Sequence, residues 1–362
     1  MQEQMKAQFE QLGINTAGFV NPFTSLFSQV GKTNSGKDGD EVLSITTARD
    51  TATKFVKVQG LKPLGTKDVS VVENAFEISE LWLNEATAFP ASTHAPMAVS
   101  RMDWVLETMP GWHKTIEPLA AGLSSAISDL MDQAMNAQAG DPEQGQPPIE
   151  MITAMLRSFI GTMIATQLGQ SIGTLAISVT GAHDVGLPLL DPARAIVIPE
   201  NIENWAVDLE IAKSEVFIFH ALREGAVARL FAHNPWLVSY IQSAVVEYGK
   251  GIHIDIDAIQ RQAQGAFENM QENMQENMSF ALDNGIFTPE ESPAQKIALA
   301  KLETVLALID GWTDEVTSLA AGDRLPSIEQ LRETLRRRRA SAAPAQQLFS
   351  SMLGLQVSPK LT

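Results

Sequence analysis

From residue 149 to residue 339 apolar side chains return every three or four positions, segment after segment. Almost nowhere do they alternate as a half-buried strand requires. The pattern predicts helices over 149–175, 202–209, 214–231, 235–248, 292–320 and 327–339. Pro293 suits the first turn of its helix, Ser327 can cap the last one, and Arg336 to Arg339 fall at that helix's negative end. The short apolar run 195–198, inside a Pro/Gly-rich connection spanning 181–199, is the best strand candidate. With 14 Met against 2 Tyr, the core is aliphatic rather than built on aromatic sheets. The expected class is mainly α with minor β content.

The first half is more punctuated. Helices are expected over 44–58 and 67–88, the latter from the spacing of Val71, Val72, Phe76, Ile78, Leu81 and Leu83. Pro90 to Pro96 breaks the chain. A helix over 100–107 follows, Pro110-Gly111 interrupts again, and 115–135 resumes. Two stretches read as loop: the polar, turn-rich 31–40 (GKTNSGKDGD) and 139–148 (AGDPEQGQPP). These divide the chain into a flexible segment 1–43, a helical region 44–140 and a helical domain 149–356, the last two together forming one continuous domain as the alternative. The first 13 residues contain no apolar core of a secretory leader. The most hydrophobic stretch, 151–180, is broken by Arg157, Gln167 and Gln170. Gly161, Gly169 and Gly173 mark it as a closely packed helix of a soluble protein, not a membrane span. Trp236 and Trp312 are expected as core anchors. The repeat that places Met270, Met274 and Met278 on one helical stripe reads as a local duplication in an exposed helix.

Charge and residue inventory remove whole classes of chemistry. With 26 Lys+Arg against 43 Asp+Glu the formal charge is −17, which disfavours nucleic acid and anionic lipid as partners. No cysteine is present, so disulfides, thiolate metal sites and a thiol nucleophile are excluded. No phosphate-cradling glycine loop, dinucleotide fingerprint or nucleophile elbow occurs. The basic run Arg336 to Arg339, sharing its helix with Glu329 and Glu333, reads as a solvated face. Six histidines remain (His94, His113, His183, His220, His233 and His253), and none forms the H-E-x-x-H pair of a helical zinc site.

Residues 214–237 (SEVFIFHALREGAVARLFAHNPWL) nonetheless place Arg223-Glu224-Gly225-Ala226-Val227 where such a helix would carry that motif. This segment resembles the zincin-like family found largely in actinobacteria, whose members are described as zinc-dependent metalloproteases or hydrolases. Further blocks resemble the same family in unbroken order: LWLNEATAFP from Leu81, DWVLETMPGWHKTIEPLA from Asp103, GLPLLDP from Gly186, KLETVLALIDGWTDEV from Lys301, and the stretch from Arg324 to Gln356.

The resemblance implies a zincin-like metallopeptidase fold. In members with the intact motif two histidines hold zinc, the glutamate acts as general base, and a downstream acid is the third ligand. By position Glu224 keeps the base place and Asp310 the acidic one. Arg223 and Val227 replace the two imidazoles, and neither can ligate zinc; the fixed cation would repel it. The expectation is therefore a homologue without zinc or peptidase activity, its Glu224 vestigial, retained as a cytoplasmic binding or scaffold protein for a protein partner. Arg223, Glu224 and Asp310 would form an ion-pair cluster where the metal used to be, with Val227 and His220 lining the site. The alternative is a working zinc hydrolase with a rebuilt ligand set of His220, Glu224 and Asp310, although His220 lies three residues, about 4.5 Å of helix rise, ahead of the first ligand position.

Overall fold

The Ser44 hydroxyl accepts from the Thr47 amide and opens helix α1 (Ile45–Val58). In chain order there follow α2 (Thr66–Ala86), strand β1 (Met97–Ala98), α3 (Arg101–Ala137), α4 (Ile149–Ala176) and strand β2 (Ile196–Val197). Then come α5 (Pro199–Trp205), α6 (Lys213–His233), α7 (Pro235–Lys250), α8 (Pro293–Ala321) and α9 (Ile328–Ala342). The computed structural model describes residues 42–137, 149–252 and 292–342, all within one compact unit. The Met270/Met274/Met278 stripe, His253, the segment before residue 42 and the loop 139–148 lie outside the described residues. The architecture is mainly α, as the periodicity predicts.

Two hydrophobic clusters form the core. One gathers α1, α3, α4 and α7 around Trp104, Trp112, Ile116, Leu168 and Ile172. The other joins α2, α5 and the ends of α8 and α9 around Phe76, Trp205, Phe219 and Leu331. Helix α6 belongs to both, sending Val227, Leu230 and Phe231 to the first and Val216, Leu222 and Ala226 to the second. Every residue from Phe219 to Phe231 is buried. The Arg223–Val227 segment therefore sits in the interior on all sides.

The glycines of α4 do what their spacing suggests. A Cβ on Gly169 would lie 2.4 Å from the Ala48 carbonyl oxygen, and one on Gly173 would lie 2.8 Å from Phe55 Cβ. Only glycine lets α1 come this close.

Two expectations are corrected, and a third is met in a form the sequence did not announce. Pro110-Gly111 does not divide two helices, because α3 runs through Pro110 and Pro118 without a break. Pro110 lies on the exposed side, next to the exposed turn of Leu106, so the carbonyl that loses its helical donor can be met by water. Gly111 serves packing, since a Cβ there would stand 2.1 Å from the Leu189 carbonyl oxygen. The strand expected at 195–198 is present as β2, but it pairs in parallel with β1, which the proline-flanked sequence did not announce (Met97 opposite Ile196, Ala98 opposite Val197). Two residues are too few to show a period. Trp236 is 64% exposed and is no core anchor; its indole N–H donates to Asn234 Oδ1 at 3.1 Å. Trp312 does pack against both clusters and tilts onto Phe89. No helix among the described residues is long and apolar enough to cross a membrane.

Candidate functional site

Four elements converge on the middle of α6: the loop 177–186 leaving α4, strand β2, and the helices α8 and α9. Glu224 points at the first two. Its Oε1 accepts from the Ala182 amide at 3.0 Å, the Ile196 amide at 3.3 Å and His183 Nδ1 at 2.8 Å, and its Oε2 accepts from the His183 amide at 3.2 Å. Four donors on one buried carboxylate make Glu224 the stitch that fixes the loop and the short sheet onto the central helix. Gly181 is required by the same stitch, because a Cβ there would lie 2.4 Å from Glu224 Oε2. The loop is held from behind by Trp104, whose indole N–H donates to the Gly181 carbonyl at 3.2 Å.

One turn earlier on α6, His220 meets Thr180. The Thr180 hydroxyl and backbone amide both donate to Asp184 Oδ2, at 2.6 and 2.5 Å. The hydroxyl has spent its proton there, so it accepts from His220 Nδ1–H at 3.0 Å. His220 packs edge-on against Trp205, with ring centroids 4.7 Å apart. Burial pushes its pKa down to about 4; Asp184 opposes this, and the positive charges of Arg223, Arg339 and Arg338 reinforce it. The imidazole is thus neutral at neutral pH. Burial works against ionisation of Asp184, but the Arg339 charge, with His220 and the two Thr180 donors, outweighs it and holds the carboxyl below its usual range.

Arg223 turns the opposite way from Glu224. It donates to Asp310 at 2.7 Å and reaches Asp314 at 3.4 Å, both on α8. Burial lowers its pKa, opposed by Asp310, Asp314 and Asp184; a guanidinium keeps its charge throughout. Helix α9 completes the chain of charges. Arg339 pairs with Asp310 and, at 3.8 Å, with Asp184. Arg332 grips Asp314, with Nη2 to Oδ2 at 2.6 Å and Nε to both oxygens at 3.2 Å. Charges alternate along Asp184, Arg339, Asp310, Arg223, Asp314 and Arg332.

The expected Arg223/Glu224/Asp310 cluster is therefore divided. Arg223 and Asp310 meet as an ion pair, while Glu224 is taken up by backbone amides and His183. Val227 lies in the first core cluster. His233 is drawn off by the Pro90 carbonyl, 3.0 Å from Nε2, and by stacking on Phe89. His220, Glu224 and Asp310 are not brought together. Their partners are Thr180, the 182–183 and 196 backbone with His183, and the arginines, respectively. The basic run is not one solvated face either: Arg336 and Arg337 pair with Glu333, whereas Arg339 turns inward.

Sequence reading missed His183, Thr180, Asp184, Arg332 and Arg339. The Gly181-Ala182-His183-Asp184 stretch directly after a long helix was the available signal for the first three.

A family model described as zincin-like metallopeptidase matches residues 44–362. The chain belongs to this family. Its fold is similar to the crystal structure of a "putative hydrolase with a novel fold" from Chloroflexus aurantiacus, at 15% sequence identity and a TM-score of 0.56, covering 88% of this chain and 83% of the other. No curated protein matches the chain.

The family name implies zinc, and the donor set at the motif does not fit it. Position 223 carries a cation, position 227 has no ligand atom, and the oxygens of Glu224 already face four hydrogen-bond donors. Among the described residues no three His, Asp or Glu side chains are grouped so that they could hold a metal ion.

Proposed function

We propose that this chain is a non-catalytic member of the zincin-like metallopeptidase family, a binding or scaffold protein whose former base, Glu224, now organises structure. The observation that carries this reading is that Glu224 is buried and met by four donors, three on Oε1 and one on Oε2. A general base needs a free carboxylate oxygen within reach of a water or substrate proton, and here both oxygens are engaged by amides and by His183. Arg223, paired with Asp310 and Asp314, supplies positive charge to the acids on α8 where family members use a metal. The absence of cysteine from the sequence and its charge of −17 suit a cytoplasmic protein with a protein partner rather than nucleic acid.

The test is elemental analysis of tag-free protein, as purified and after zinc loading. Far less than one zinc per chain, unchanged in Glu224→Gln, is the expected result. Near-stoichiometric zinc on the wild-type chain, whether kept or lost in Glu224→Gln, would sink the reading.

A second reading, a hydrolase with a non-standard ligand set, has one observation in its favour. His183 and His220 each have Nδ1 fixed by an oxygen and a buried Nε2 with no partner. Metal-bound imidazoles share that arrangement, and the Chloroflexus neighbour carries the name hydrolase. On this reading zinc is lost in His183→Ala or His220→Ala and chelation lowers a peptidase activity.

A further inference from the structure

Helix α9 is held at its two ends by different physics. Its first turns put Ile328 and Leu331 into the second core cluster, with Leu335 packed against it. Past Leu335 the sequence is Arg336-Arg337-Arg338-Arg339-Ala340, and guanidinium groups make the contacts that reach the body. Arg338 lies over the Trp205 ring, 4.6 Å from its centroid. Arg339 pairs with Asp310 and Asp184. Arg336 and Arg337 instead pair with Glu333 of their own helix, at 2.7 and 2.6 Å, and so do nothing to hold α9 down.

What lies beneath is the Arg223 and His220 face of α6. Asp184 fixes Thr180, Thr180 fixes His220, and Asp310 fixes Arg223. Withdrawing Arg339 leaves Asp184 and Asp310 short of one cation. The pairs involved are accessible to ions: Asp310 is 49% exposed and Arg339 22%. Their attraction weakens with ionic strength, whereas the apolar anchor of the first turns does not.

We propose that the last turns of α9 are a charge-held latch over the Arg223–Asp310–Asp184 cluster, hinged on Ile328 and Leu331 and displaced by an arginine-rich polypeptide competing for the same aspartates. A guanidinium competitor fits because Asp310 already receives N–H donors from two arginines and Asp184 faces Arg339 as an ion pair at 3.8 Å. The latch goes beyond the non-catalytic reading and stands whether or not the site retains chemistry.

Hydrogen exchange on the full chain, read at the amides of Arg336 to Ala340 against Leu331, tests it. Three proteins are compared: wild type, Arg339→Gln, and Arg337→Gln, which removes the same charge from the same helix. Arg339→Gln is expected to speed exchange at Arg336 to Ala340 about tenfold, the worth of one charge-assisted hydrogen bond. High salt or a hexa-arginine peptide should do the same to wild type, with Leu331 still protected and Arg337→Gln near the wild-type rate. The latch is overturned if Arg337→Gln matches Arg339→Gln, or if neither salt nor peptide changes the wild-type rates. Should Arg339→Gln unfold the whole chain, the wild-type salt and peptide titrations decide alone.

Discussion

Arg223 and Glu224 are neighbours in sequence, equally buried on one helix, and yet they live in two unlike places. Glu224 faces backbone. Three of its four donors are main-chain amides of the 182–183 stretch and β2, fixed by the chain's own path. Arg223 faces side chains, and its partners sit at the tips of α8 residues that are a third to a half exposed. The difference lies in how each interaction answers to change. A carboxylate ringed by amides has no alternative partner to offer them, while an ion pair within a chain of alternating charges can be shared out among neighbours. Glu224 is a structural keystone, and Arg223 belongs to an adjustable network of charges shared with α8 and α9.

The comparison is broken most directly at Glu224. Glu224→Ala leaves three amides and the His183 Nδ1–H buried without an acceptor. It is expected to cost about 3–5 kcal/mol in urea unfolding, on the scale of losing one partner of a buried charged network. A loss below about 1 kcal/mol would show that the amides find other acceptors and that Glu224 is no keystone.

Acid should next separate the two sides. His220 is held neutral by burial, with its pKa near 4 in the folded chain against 6.5 in the unfolded one. Between these values the unfolded chain binds the extra proton, so stability falls as pH drops from about 6.5 to about 4. The slope approaches one proton, or about 1.4 kcal/mol per pH unit. Asp184 acts lower: its depressed pKa contributes stability above the usual carboxylate range, lost as pH falls through its folded value. Urea midpoints measured across pH should show the upper slope in wild type and its flattening in His220→Gln.

Gly181→Ala sharpens the same point from the loop side. The added methyl meets Glu224 Oε2 at 2.4 Å and the Ile196 carbonyl oxygen at 3.0 Å, so a cost of about 1–3 kcal/mol is expected. Unchanged thermal stability would mean that the loop has room the geometry denies.

The smallest effect belongs to Arg223. Because Asp310 is half exposed and keeps Arg339, Arg223→Met should cost about 1 kcal/mol, shrinking as salt is added. A double-mutant cycle with Asp310→Asn measures the coupling. A salt-independent loss as large as that of Glu224→Ala would erase the contrast between the two positions.

Much of the fold was legible because helices write themselves locally. The cap of Ser44 and the capping box of Ser292 with Gln295 join residues within a turn of each other; for Gly169 and Gly173 only the four-residue spacing is local, and their contacts with Ala48 and Phe55 come from packing. Pro110 misled because its cost depends on whether the orphaned carbonyl faces water, which the helix's orientation decides. Trp236 misled because an indole is apolar wherever it sits, and the neighbours that would cover it are set by packing. At the site, the pairing of Arg223 with Asp310 could be anticipated from opposite charge and shared position. His183 could not, since its nitrogen reaches Glu224 only when the loop after α4 folds back across α6, 41 residues away in sequence.

Sequence alone determined the helical class, the absence of cysteine, and the presence of Arg223 and Val227 on either side of Glu224, since each depends on residue identity or short-range spacing. Tertiary structure decided the rest. It gave Glu224 to the backbone, Arg223 to α8, Val227 to the core and Arg339 to the cluster instead of to solvent. A carboxylate or a guanidinium carries the same charge in any sequence, and which partner it meets is fixed only when distant segments are packed against it.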